Sequence, residues 1–264
     1  MSLELDGLAP GAAPIAISNR DGAGSLVLLC EHASNHIPDS FDRLGLSESD
    51  LQRHIAWDIG AMGLAEQLSR RLDAPLVYAR YSRLLLDLNR DPSAADSIVV
   101  RSENIAIPGN QGLSPEQRRW RQNWLYHPFH QGLQALLDER VEAGRFTAIV
   151  SIHSFTPDYM DRARPWQIGV IARNDRRLAN RLLSQLRGHA SLCVGDNQPY
   201  APQDGVYHSM DRHGEVRGLP CAMIEIRNDE IANERDQEAW ATRLSHEFEL
   251  ALEGLHCAGV EGMR

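Results

Sequence analysis

A three-layer α/β fold, with helices on both faces of a mostly parallel, mixed sheet, is what this sequence predicts. Three observations carry that expectation. Short apolar runs, too short and too β-branched to favour helix, recur at residues 26–30, 75–80, 148–152, 166–172 and 221–226. Between them lie stretches with helical spacing, such as Ile59, Met62, Leu64, Ala65, Leu68 and Leu72. Three of the runs also end in chemistry-bearing residues: the first delivers Glu31 and His32, the central one His153, the last Glu225. In an open parallel sheet the carboxyl ends of strands line one crevice, so His32, His153 and Glu225 are expected to meet.

Size and charge narrow the function classes. A chain of 264 residues with 42% hydrophobic content can bury a sizeable core. One domain over residues 1–264 is expected, with 1–24, rich in Gly, Ala and Pro, as a surface lead-in. A net charge of −9 and a pI near 5.6 argue against nucleic acid as a partner. No run of eighteen apolar residues exists and the N-terminus does not read as a signal peptide, so a cytosolic enzyme without a membrane partner is the simplest placement. Oligomeric state has no signature here. The four cysteines, Cys30, Cys193, Cys221 and Cys257, are widely spaced and read as buried free thiols.

Taken in order, a strand over 25–30 leads into the loop EHASNHIPDSF, and a helix follows over 57–72 with Asp58 near its positive end. Strands are expected over 75–80 and 84–88, then a long polar loop over 92–112 with an extended piece at 98–100. Ser114, Pro115 and Gln117 form a capping box that opens a helix running towards Glu142, which Pro128 must kink or divide. After the strand ending at His153 come a strand over 166–172, a helix over 176–186 and a short edge strand at 191–194. The turn-rich segment 195–218 could close over a site, and a helix over 230–255 ends the fold.

Two imidazoles, His32 and His153, with an added oxygen ligand would suit Zn²⁺ and leave a position for water. The sequence holds no H-E-x-x-H helix, no Gly-rich phosphate loop and no Gly-x-Ser-x-Gly elbow around Ser34 or Ser154. Adjacent side chains on an extended segment point to opposite sides, which makes Glu31 a partner orienting an imidazole rather than a ligand beside His32.

SIHSFTP, IEIRND and DLNRDP resemble the segments of zinc carboxypeptidases that carry the last zinc histidine, the catalytic glutamate and the Asn-Arg pair gripping a substrate carboxylate. EHASNHIP, SRLLLDLNRDP, IHSFTP, NQPY and IEIRND together resemble the N-formylglutamate amidohydrolase family, over residues 15 to 255. That resemblance implies a zinc-exopeptidase-like (phosphorylase/hydrolase-like) fold and a Zn²⁺-dependent amidohydrolase. It makes His32 the first metal ligand, His153 the last and Glu225 the general base. Zinc carboxypeptidases place a glutamate three residues after the first histidine, where this chain has Asn35. The third ligand is therefore sought elsewhere: Asp58 is chosen, with helix capping as its plain alternative, and Glu31 competes. Asn89, Arg90, Asn197 and Tyr200 are assigned to substrate, and Arg227 to a supporting position. The expected substrate is a small N-formyl or N-acyl amino acid carrying a carboxylate, N-formylglutamate above all. The alternatives are a carboxypeptidase-like peptidase acting on short peptides and a binding protein that has lost catalysis.

Overall fold

The structure, a computed structural model, describes residues 13–261, with side chains as far as Leu255. The chain begins with strands β1 (Ile15–Ser18) and β2 (Leu26–Cys30), a single helical turn α1 (Glu48–Leu51), helix α2 (Ala61–Arg71) and strand β3 (Leu76–Ala79). A two-residue hairpin follows, β4 (Arg101–Ser102) and β5 (Ile105–Ala106), then helices α3 (Pro115–Arg121) and α4 (His127–Glu142) and the long strand β6 (Ala148–Phe155). A second small hairpin, β7 (Asp158–Tyr159) and β8 (Arg162–Ala163), leads to β9 (Ile168–Ile171), α5 (Arg177–Leu186), β10 (Val194–Asp196) and α6 (His208–His213). Strand β11 (Cys221–Arg227) and helix α7 (Glu234–Glu261) close the fold.

Seven strands form one mixed sheet in the order β1-β3-β2-β6-β11-β9-β10. The four central strands are parallel; β1 runs against β3, and β9, with β10 beside it, runs against β11. Period-two alternation sends Leu26, Leu28, Val150, Ile152, Ala222 and Ile224 into a core with α2, α5 and α7. The intervening Val27, Leu29, Ile149, Cys221 and Met223 pack on the other face with Leu133, Leu136 and Leu137 of α4 and Met210 of α6. By the same parity Ser151, His153 and Glu225 fall on that second face, at the carboxyl end where its apolar core stops. No helix among the described residues is long and apolar enough to cross a membrane.

The structure departs from the sequence reading at several elements. Residues 15–18, placed in the lead-in, pair with β3 as an edge strand. Residues 84–88 form turns rather than a strand, because side chains take their carbonyls: Asn110 donates to Leu84 O at 2.8 Å, Arg121 to Leu85 O at 2.9 Å, and His130 Nε2 to Leu88 O at 3.0 Å. The extended piece at 98–100 gives way to the hairpin at 101–106. The capping box at Ser114 is present, with Ser114 N to Gln117 Oε1 at 2.9 Å. Pro128 does not divide the helix: residues Gln122–Tyr126 widen into a π turn, which absorbs the missing N–H and the ring without ending the helix. Helix α2 begins at Ala61, leaving Asp58 in the preceding turn. Cys30 and Cys221 are buried free thiols, whereas Cys193 is exposed, its neighbours Leu192 and Val194 being the ones that pack on the core; Cys257 lies outside the described side chains.

Candidate metal centre and active site

Backbone contacts bring distant residues to one point. Just beyond β2, His32 O accepts from Asp58 N at 2.9 Å, tying the turn before α2 to the strand end. That turn needs Gly60: its φ is +81°, and a Cβ there would lie 2.3 Å from Ile231 O. Strand register then pairs Glu225 directly with His153 on adjacent parallel strands.

His32, Asp58 and His153 are all buried, and one donor atom from each lies within 4.8 Å of the others. Asp58 Oδ2 stands 2.8 Å from His153 Nδ1 and 3.3 Å from His32 Nδ1. The far nitrogens are held from behind. His32 Nε2 lies 2.7 Å from Asp87 Oδ1, and His153 Nε2 lies 2.7 Å from Ser151 Oγ and 3.3 Å from Glu31 Oε2. Ionised carboxylates only accept, so Asp87 requires the proton on His32 Nε2; Ser151 donates to Glu31 Oε2 at 2.6 Å and so accepts from His153 Nε2. Neutral imidazoles in these tautomers turn two bare Nδ1 lone pairs towards a carboxylate oxygen. Acceptors facing one another in a buried space need protons or a cation between them, and two imidazoles with a carboxylate are a donor set that suits zinc. The residues fit a dication, with the rear carboxylates fixing the rings.

Charge follows this arrangement. Burial alone would raise Asp58, yet His32 and His153 hold it well below the usual carboxylate range. Burial would likewise lower His153, but Asp58 and Glu31 push it well above the ordinary histidine value. Glu31, against the effect of its burial, is brought down to about 2 by His153 and Ser151. Asp87 is lowered despite its burial by Arg83, whose Nη2 lies 2.5 Å from Asp87 Oδ2 and whose Nη1 lies 3.4 Å from Asp58 Oδ1. Glu225 behaves oppositely: burial dominates and raises it to about 7, and its Oε2 is buried with no hydrogen-bond partner among the described residues.

A cavity of about 380 Å³ opens over this centre, lined by His32, Asp58, His153 and Glu225 and, towards solvent, by Arg83 and Arg90. Asn89 and Tyr200 also line it, and the segment 195–218 contributes Asp204 and Val206 to its wall. Asn89 is nevertheless engaged: its Nδ2 donates to Val206 O and its Oδ1 accepts from Ser209 N at 2.9 Å, fastening that segment to the centre. Arg90 donates to Asp204 O at 2.8 Å. Asn35 and Asn197 lie outside the lining, one donating to Leu51 O at 3.0 Å and the other accepting from Ala172 N at 2.9 Å. Arg227 turns to Asp229 and Glu230, at 2.7 and 3.2 Å. Cys30 is raised well above the ordinary thiol value by burial beside Asp58 and Glu31, which leaves it a packed strand end.

Sequence reading missed three members. Asp87 is one: its bond to His32 depends on a turn that read as a strand. His54, 3.6 Å from Asp58 Oδ1 and lowered to about 4 by burial, carried no pattern at all. Ser151 sits two residues before His153 at strand spacing, which was a usable signal for a shared face.

The profile of the N-formylglutamate amidohydrolase family matches residues 24–232, a span holding every donor described above. The chain belongs to that family of hydrolases. A solved structure of a gene product from Agrobacterium tumefaciens, Atu2144, is 44% identical and superposes with a TM-score of 0.91, covering 93% of this chain and 97% of that one. N-formylglutamate amidohydrolase from Ralstonia eutropha JMP134, 18% identical, shares the fold with a TM-score of 0.67 over 90% of this chain and 99% of its own. No curated protein matches significantly.

Proposed function

We propose that this protein is a zinc-dependent amidohydrolase, cytoplasmic, that cleaves the amide of an N-formyl or other N-acyl amino acid, N-formylglutamate being the leading candidate. One observation carries the reading: the Nδ1 atoms of His32 and His153 and the Asp58 carboxylate converge beside a buried glutamate, Glu225, that has an oxygen to spare. Family membership supports the amide as the bond cleaved.

His32, Asp58 and His153 would hold the metal, with Asp87, Ser151 and Glu31 orienting the two rings. When bound, zinc supplies a Lewis acid that makes a water more acidic and polarises a carbonyl. Glu225 takes the proton of the attacking water and returns it to the departing amine nitrogen. Its position near pH 7 suits both halves of that exchange, since a group poised at working pH can accept and then release a proton. Arg90, fixed by Asp204 O at the cavity wall, binds the substrate carboxylate, and Asn89 holds the wall in place.

The test is Glu225→Gln, which keeps size and most packing. Hydrolysis of N-formylglutamate is expected to fall about 10²–10⁴-fold, the usual weight of a general acid-base, with metal content unchanged. Full activity in that variant rejects the role given to Glu225.

A further inference from the structure

Catalysis by this route develops negative charge on the carbonyl oxygen, and a cation packed against Tyr159 and Tyr200, two residues of the cavity lining, bears on where that charge is met. Arg164 is buried at 8% exposure, yet it makes no ion pair with a carboxylate among the described residues. Aromatic rings cage it instead: its guanidinium carbon lies 4.6 Å from the ring centre of Tyr159, 4.8 Å from that of Tyr200 and 5.8 Å from that of Phe155. Among the described residues its side chain donates one hydrogen bond, from Nη1 to Tyr200 Oη at 3.1 Å. A buried cation without a counter-ion is costly, and it is tolerated where an anion forms during function.

Proton placement gives the direction. A guanidinium has donors and no acceptor, so Tyr200 Oη accepts from Arg164 and its own hydrogen must point elsewhere. Tyr200 lines the same cavity as Glu225, His153 and Asp58, and that is where an acceptor would arrive. We infer that Tyr200 donates the hydrogen bond that stabilises the oxyanion of the tetrahedral intermediate, and that Arg164 is a positioning residue that orients and polarises its hydroxyl.

The inference rests on the hydrolase reading above. As the water oxygen bonds to the carbonyl carbon, the C=O π pair moves onto oxygen, where the Tyr200 O–H meets it. That pair returns to rebuild the carbonyl as the C–N bond breaks and the nitrogen leaves with the proton from Glu225. No proton leaves Tyr200, consistent with a phenol that burial and the nearby Glu225 push up to about 12. Hydrogen bonding of this type strengthens from ground state to transition state, so its loss lowers kcat rather than raising KM.

The experiment uses the intact, metal-loaded protein with N-formyl and N-acetyl amino acids, and Tyr200→Phe, which leaves the ring over Arg164. A fall in kcat of about 10²-fold with KM nearly unchanged is expected. Isothermal titration with a phosphonate analogue, which carries a tetrahedral P–O⁻ at the carbonyl position, should show a comparable loss of affinity while product affinity is retained. Arg164→Lys should lower kcat in the wild-type background and change little on top of Tyr200→Phe; a structural role would act equally in both. Tyr200→Phe at full kcat, or a raised KM alone, overturns the inference and leaves the hydrolase reading standing. Wild-type protein that hydrolyses no substrate in the panel overturns both.

Discussion

Two buried histidine pairs lie on the same side of the sheet, and they differ in almost everything except burial. His32 and His153, with ring centres 4.8 Å apart, are flanked by Asp58, Asp87 and Glu31. His130 and His213, stacked with centres 5.1 Å apart, make no hydrogen bond or ion pair to a carboxylate among the described residues: His213 Nε2 lies 2.8 Å from His130 Nδ1, and His130 Nε2 donates to Leu88 O. Burial depresses the second pair, His130 well below the ordinary value and His213 to about 3. In the first pair carboxylates overcome the same burial and raise His153. Imidazole is thus a candidate metal ligand in one place and neutral framework in the other, and the neighbouring oxygens make the difference. Burial alone carries no information about function.

The largest expected effect breaks the comparison at the metal. His32→Ala, Asp58→Ala and His153→Ala should each lose zinc that the wild type retains stoichiometrically after purification, whereas His130→Ala should keep it, as read by elemental analysis. Zinc that survives all three changes would remove the centre from this site. A smaller effect sharpens the role of the rear oxygens. Asp87→Asn leaves an acceptor near His32 Nε2 but removes the charge, and zinc affinity in chelator competition should fall about 10–100-fold. Unchanged affinity would make Asp87 simply the partner of Arg83.

How much of this was legible in the sequence depends on what each residue relies on. β2, β6 and β11 were legible because their burial on both faces demands continuous apolar runs, and His32, His153 and Glu225 stand where those runs turn polar. Asp58 followed from needing an oxygen near the same strand end. Asp87 was not legible: Leu84, Leu85 and Leu86 are apolar because they fill the second core from a turn, which no periodicity separates from a buried strand. Arg164 was hidden for a related reason. It follows a hairpin of two-residue strands whose tip, Met160 and Asp161, has positive φ without glycine, so the usual turn signal is missing. Asn89 and Arg90 matched a motif, but only the fold shows that Asn89 also braces the opposite wall.

The smallest expected effect concerns the second pair and stability. A folded-state value of about 3 for His213, against 6.5 ordinarily, means that the unfolded chain binds its proton first as pH falls. Stability from keeping this imidazole neutral is therefore complete above about pH 6.5 and is lost progressively from there towards pH 3. His213→Gln removes the titration while an amide N–H can still reach His130 Nδ1. Carboxylates elsewhere titrate alike in both proteins, so the difference between their melting curves isolates this residue. Between pH 7 and 5 the wild type should lose about 2 kcal/mol, roughly 4–8 °C in Tm, more than the variant does. Parallel Tm curves over that interval would mean that His213 protonates in place, and the contrast between a neutral pair and a carboxylate-held pair would then fail on its framework side.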